Sequence, residues 1–441
     1  MHCMTAEKLG IPTAPVVTHV FRDLVEAVAF KGGMAKLRFV FVPHPVGGQP
    51  TSTLRAYALG SDPLTGRPVL DEIVEALTKP LADEDEAAPL DRSVPRFVEP
   101  DTEERLHRLF LEKGWTDGLP IVLPTEKRVA EMLSATSRRQ EEVVGRMRPT
   151  QTQEDWEYTV EKVAVNAVMA GAEPSFFPVI LAIAATEETA LHSSTSSFAS
   201  MAVVNGPIRH EIGMNGRIGA MGPFNHANAA IGRAYSLLSR NLGGGAIPGV
   251  TYLASQGNPL TYNGLCFPEN EERSPWEPFH VSRGFKQDES IVSIFRGRGL
   301  SHLLGVRAKT WRQQFTNLVA GITPTPGANL TLLLDPLVAR ALKEKEGFHT
   351  KASLSEWFYE NSRVSAEVYW DYQVVINYIE PLARKGVEPF ASWLKLPGDA
   401  LIPRFSDPRG ISIVVVGGET NAYWFAADFA YLKSRSIDEW R

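Results

Sequence analysis

Residues 13–45 read TAPVVTHVFRDLVEAVAFKGGMAKLRFVFVPHP. The opening TAPVVT is β-prone, HVFRDLVEAVAFKGG has helical spacing and stops on glycines, and LRFVFVPHP is an apolar run whose only charge after Lys36 is Arg38. A continuous apolar run bounded by turn signals suits a strand buried on both faces of a parallel sheet. Strand, helix and strand in that order predict a parallel pair joined by a crossover helix, and hence an α/β protein. Upstream, a helical pattern over His2–Leu9 stops at Gly10 and leads through Pro12 into the first strand. Downstream, LDEIVEALTKPL is an amphipathic helix with Ile73, Val74 and Leu77 on one side. A stable sheet needs three or more strands. Residues 1–80 are therefore expected to form an incomplete Rossmann-like layer. The missing strand and a nucleophilic turn are expected before Met1 or on a separate polypeptide.

The 441 residues are 44% hydrophobic and 22% charged, enough to bury a large core in two domains. A net charge of -6 with no long basic run gives no electrostatic footprint for nucleic acid. The longest apolar stretch, FFPVILAIAA, falls short of the roughly 18 residues a bilayer span needs, so no membrane partner is expected. Without a basic segment followed by an apolar one at the N-terminus, the expected compartment is the cytoplasm. Two cysteines argue against a disulfide framework or a cysteine-built zinc site.

Residues 81–100, acidic and proline-rich, read as a solvated linker. Residues 101–441 then predict a larger α/β or α+β domain, opening with a helix capped by Asp101 or Thr102. WEYTVEKVAVNAVMAGAEPSFFPVILAIAATEE predicts two packed helices broken at Gly171 to Pro174, and NHANAAIGRAYSLLSRNLGGG a third. Strands are predicted in MAVVNGP, SIVSIFRG, ANLTLLLDP and GISIVVVGGE.

Several residues are candidates for chemistry. His44, in FVPHPVGG, falls at the C-terminal end of a predicted parallel strand, where open α/β sheets bind ligands. The tract ENEERSPWEPFHVSRGF brings Glu269, Asn270, Trp276, His280 and Arg283 into one short loop; His280 suits proton transfer or metal ligation, and Arg283 suits a carboxylate fork. A stapled surface loop is the competing reading of that tract. Asn205 and Asn228 stand in a glycine-rich stretch ahead of a helix that could hold an anion, although no phosphate-loop pattern is present. Glu419 and Asn421 follow a strand in the ligand-facing position. Cys266 is a small buried hydrophobe or a partner thiol, and Cys3 an inert terminal thiol or a nucleophile.

The segments EKLGIPT, FVPHP, TDGLPIVLPTEKRV, TVEKVAVNAVMAGAEP, VVNGPI, HANAAIGRA and PENEERSPWEPFHVSRGF together resemble the UGSC-type proteins, named for a selenocysteine-Gly-Ser-Cys motif with cysteine-only variants. More distantly they are similar to the selenoprotein subunits of glycine and proline reductases. The resemblance implies a reactive chalcogen shortly upstream of the helix that ends in the GIP turn; Cys3 sits inside that helix. A thiolate or selenolate at a helix N-terminus is stabilised by free N–H groups and the macrodipole.

The expectation is thus an oxidoreductase of thiol or selenol type acting on a small organic substrate, with His280 or His44 moving protons in a shared cleft. Alternatives are a hydrolase or lyase with a metal held by His280, His44 and carboxylates, and a non-catalytic binding subunit of a heteromer. No cofactor is specified by any motif. The half-sheet layer is expected to recruit a second copy or a chalcogen-bearing chain.

Overall fold

A computed structural model describes residues 2–79, 96–147, 156–192, 195–243, 248–250, 252–306, 309–322, 330–405 and 407–441. The expected linker over 81–100 lies outside the described residues except for 96–100.

The N-terminal layer runs α1 (His2–Lys8), β1 (Val16–Thr18), α2 (Arg22–Lys31), β2 (Val40–Val42), α3 (Thr51–Leu59) and α4 (Val69–Thr78). β1 and β2 pair in parallel, Val16 opposite Val40 and Thr18 opposite Val42, as the run over 13–45 predicts. The outer edge of β2 is partly covered, because Phe41 N–H donates to the buried Asp62 carboxylate at 2.6 Å. α4 is oriented differently from its apolar pattern: it buries Val69, Glu72 and Ala76, while Val74 and Leu77 face out. Glu72 is drawn inward by a hydrogen bond from the Thr65 hydroxyl at 2.7 Å.

The larger unit begins with α5 (Glu103–Glu112), α6 (Glu126–Leu133), β3 (Val143–Met147), β4 (Trp156–Thr159), α7 (Val160–Met169) and α8 (Phe177–Ala184). Thr102 caps α5 by accepting from Arg105 N–H. The predicted first helix of the 156–188 stretch is shorter than expected, since WEYT pairs with β3 as a strand and Thr159 caps α7. There follow β5 (Ala199–Asn205), α9 (Ile208–Glu211), α10 (His226–Asn241), β6 (Leu265–Pro268), α11 (Phe279–Ser282), β7 (Ile291–Leu304), α12 (Trp311–Ala320), β8 (Leu330–Leu334), α13 (Pro336–Glu344) and α14 (Lys351–Asn361). A small subregion, β9 (Arg363–Ser365), α15 (Ala366–Asp371), α16 (Gln373–Tyr378), α17 (Glu380–Arg384), α18 (Phe390–Trp393) and β10 (Leu401–Pro403), precedes β11 (Ile411–Val415) and β12 (Tyr423–Ser436).

Six of these strands form one mixed sheet in the order β11-β8-β12-β7-β5-β6. β11 with β8 and β5 with β6 are parallel, and the three pairings between them are antiparallel. The sheet curls until its two edges touch: Asn270 N–H, just past β6, donates to Val415 O on β11 at 2.8 Å. One face lines the inside of the curl with Met201, Val203, Phe267, Phe295, Val414 and Phe429. The alternate residues face outward, Ala202, Val204 and Ile294 against α7, α8 and α10, and Leu332, Ile413 and Val415 against α12–α14. Period-two alternation thus sorts each strand between two cores. Among the described residues no helix is long and apolar enough to cross a membrane.

Candidate functional site

The point where the sheet edges meet is organised by Glu269, which is 0% exposed. Its Oε2 accepts from the Asn205 amide at 2.8 Å and from Phe279 N–H at 2.6 Å. Its Oε1 accepts from Lys351 Nζ at 2.8 Å and from Val415 N–H at 3.2 Å. Four donors saturate a carboxylate, so Glu269 is a clasp joining β5, α11, α14 and β11. Lys351 reaches it because a capping box, Thr350 with Ser353, starts α14 at that point. Beside it Arg209 bonds Glu269 O and both Glu271 and Glu272. Arg209 and His210 hold the Glu272 carboxyl at about 2 although partial burial opposes this.

Phe279 N–H on Glu269 anchors α11, which packs Phe279 inside the curl against Phe295 and Tyr431, with ring centroids 5.3 and 5.5 Å away. Arg283, one residue beyond α11, is clamped between rings, its guanidinium carbon 4.8 Å from the Phe279 centroid and 4.6 Å from that of Tyr431. Its Nη2 donates to the Ser412 hydroxyl at 3.0 Å, and its Nε has no partner. No carboxylate among the described residues pairs with it, and burial lowers its pKa from the ordinary arginine value. The guanidinium opens on a cavity of about 210 Å³ whose wall includes Ser282, Lys351, Ser355 and Ser412.

The free edge of β11 forms part of the same wall. Ile411 O accepts from the Ser355 hydroxyl at 3.1 Å, and Val415 N–H and O turn toward Glu269 and Asn270. Ile413, midway between them on a strand whose peptide groups alternate direction, turns its own N–H and C=O toward the cavity.

The other candidates have different surroundings. His280 is fully buried, and neither ring nitrogen has a hydrogen-bond partner. His44 is exposed beyond β2, with Nδ1 3.4 Å from the Thr18 hydroxyl and its ring against Phe21. Neither histidine lines the Arg283 cavity. Asn270 is tied to Val415 O and, through its side chain, to Gly417 O, while Trp276 is buried and donates to Phe348 O. Asn205 bridges Glu269 and Glu271. Asn228 holds the glycine-rich loop through Asn215 N–H, Asn215 O and Ala220 O. Glu419 is paired with Arg340 at 2.5 Å and Arg273 at 3.5 Å. Asn421 does line a second cavity, about 240 Å³, at the C-terminal ends of β8 and β11 beside Asp335 and Arg217. Lys351, Tyr431, Ser412 and Ser355, all part of the Arg283 surroundings, are not singled out by the sequence. Among the described residues no group of three or more His, Cys, Asp or Glu is placed to hold a metal ion.

Cys266 lies inside β6, and burial pushes its thiol up to about 12. Burial of this kind favours the protonated thiol and weakens it as a nucleophile at neutral pH. Cys3, on α1, is partly accessible. Alkylation of the native protein with iodoacetamide at pH 8 is therefore expected to modify Cys3 alone, with Cys266 reacting after denaturation. Native labelling of Cys266 would show that β6 opens.

Residues 3–79 match the UGSC family, the stretch that holds α1 to α4, the parallel pair, Cys3 and His44. The UGSC resemblance holds over that stretch. No curated protein and no solved structure matches the chain.

Proposed function

We propose that this chain serves thiol- or selenol-type redox chemistry on a small organic acid, and that the Arg283 cavity holds the acid's carboxylate. The observation that carries this reading is a ring-clamped guanidinium, partly buried, that lines a cavity and has no carboxylate partner among the described residues. An unpaired buried cation is costly to the fold, and a carboxylate in the fork of a guanidinium relieves that cost with charge-assisted hydrogen bonds. The rings on either side keep the fork oriented and dry, each cation–π contact contributing about 0.5–2 kcal/mol. The redox part of the proposal is supported by the match to the UGSC family over residues 3–79.

A second reading, a binding subunit without its own catalysis, is favoured by the cavity wall, whose described residues include no His or Cys. Calorimetric titration with acetate, propanoate and butanoate tests the binding step. Arg283→Lys keeps the charge but loses the fork and the stacking, and is expected to weaken the best acid about tenfold or more; Arg283→Met should abolish binding. Equal affinity in all three proteins would sink the assignment. With an α-halo acid as the electron acceptor, oxidation of an added dithiol to its disulfide, matched by reduction of the carbon–halogen bond to C–H with release of halide, separates the redox reading from the binding subunit.

A further inference from the structure

The charges around the Arg283 cavity do not balance within the wall. Lys351 is neutralised by Glu269 at 2.8 Å and Arg409 by Asp407 at 2.6 Å. Arg283 remains a cation with no carboxylate partner among the described residues. Glu277 and Glu356 belong to the same wall, are exposed at its rim, and have no cation partner among the described residues. The pocket therefore has a positive inner pole and a negative outer pole. These poles do not pair with each other, so more than an ion-pair distance separates them.

Resting on the carboxylate reading above, we infer that the cavity takes an ω-amino acid, its carboxylate on Arg283 and its ammonium several carbons away at Glu277 and Glu356. A plain carboxylate satisfies only the inner pole. A zwitterion whose charges are held apart by a carbon chain satisfies both, and its methylenes run past Ala352 and Pro408 in the same wall. The outward N–H and C=O of Ile413 lie along the same path. Because the rim carboxylates are exposed, they add selectivity more than strength.

The test compares each straight-chain acid from three to six carbons with its ω-amino counterpart by calorimetric titration of the full chain. At the best-fitting length the amino acid is expected to bind three- to tenfold more tightly than its parent acid. In the Glu277→Gln/Glu356→Gln variant that gain should vanish while the parent acid binds as before. Acids that bind with no gain from the amino group at any length would overturn the inference and leave the carboxylate reading standing. So would a gain that survives in the double variant. No binding by either series would overturn both.

Discussion

Glutamine in place of Glu269 should lower the unfolding free energy by about 3–5 kcal/mol, the cost expected when one member of a buried, hydrogen-bonded ion pair is removed. Glu269 is fully buried, and Lys351 has 7% of its side chain exposed. Without the carboxylate's charge, the Lys351 ammonium has no counterion there. The amide that replaces one oxygen also points hydrogens at donors, whether at the pair from Asn205 and Phe279 or at the pair from Lys351 and Val415. Lys351→Met is expected to cost less, since Glu269 keeps three donors. The two changes together should cost less than their sum, because both act on the same contact. Urea unfolding of the four proteins measures this cycle. The variants should also bind acids more weakly, because Phe279 N–H on Glu269 sets α11 and so the clamp on Arg283. A Glu269→Gln protein of unchanged midpoint would show that the sheet edges are held by something else.

That clasp was invisible in the sequence. Glu269 stands in a tract dense with aromatic and ionisable residues, and a carboxylate aimed at a ligand looks the same there as one saturated by the fold. What decides between them is Lys351, 82 positions away, and Val415 N–H, 146 positions away. Arg283 stands out in the sequence by its type and neighbours. Its orientation does not, because the second ring of the clamp, Tyr431, comes from β12. The parallel pair β1–β2 could be read because its strands are short, apolar and separated by one helix. β12 gives no such signal: Phe425, Ala427, Phe429 and Tyr431 share one face, but Trp424 and Ala426 on the other are apolar too, and an extra residue at Leu432 shifts the register before Lys433. A strand that is apolar on both faces and then shifts its period reads as irregular although it lies at the centre of the sheet between β8 and β7.

A bulge in β7 leads to the other large effect, expected at Gly297. This glycine of β7 is paired with Phe429 of β12 on one side and Ala199 of β5 on the other. A Cβ added there would lie 1.6 Å from Asp428 O and 2.5 Å from Asp428 C, the one β12 residue that stands opposite both Arg298 and Gly299 of the bulged β7. The nearest atoms are all β12 backbone, so no side chain can swing away and β7 and β12 must separate. Gly297→Ala is therefore expected to cost about 3 kcal/mol or more, at or beyond the upper end for overpacking. Gly299, two residues along the same strand, has nothing within 4 Å of the corresponding position. Gly299→Ala should be neutral or stabilising by about 0.5 kcal/mol, since alanine loses less conformational freedom on folding. Urea midpoints of the two variants give the comparison directly, and equal midpoints would remove the bulge from the account. The site follows the strand: Phe429 and Tyr431 lie just past Asp428, and Tyr431 forms one wall of the clamp on Arg283. If the Gly297→Ala protein folds, it should bind carboxylates more weakly than the Gly299→Ala protein, because separating β12 from β7 takes Tyr431 off the guanidinium.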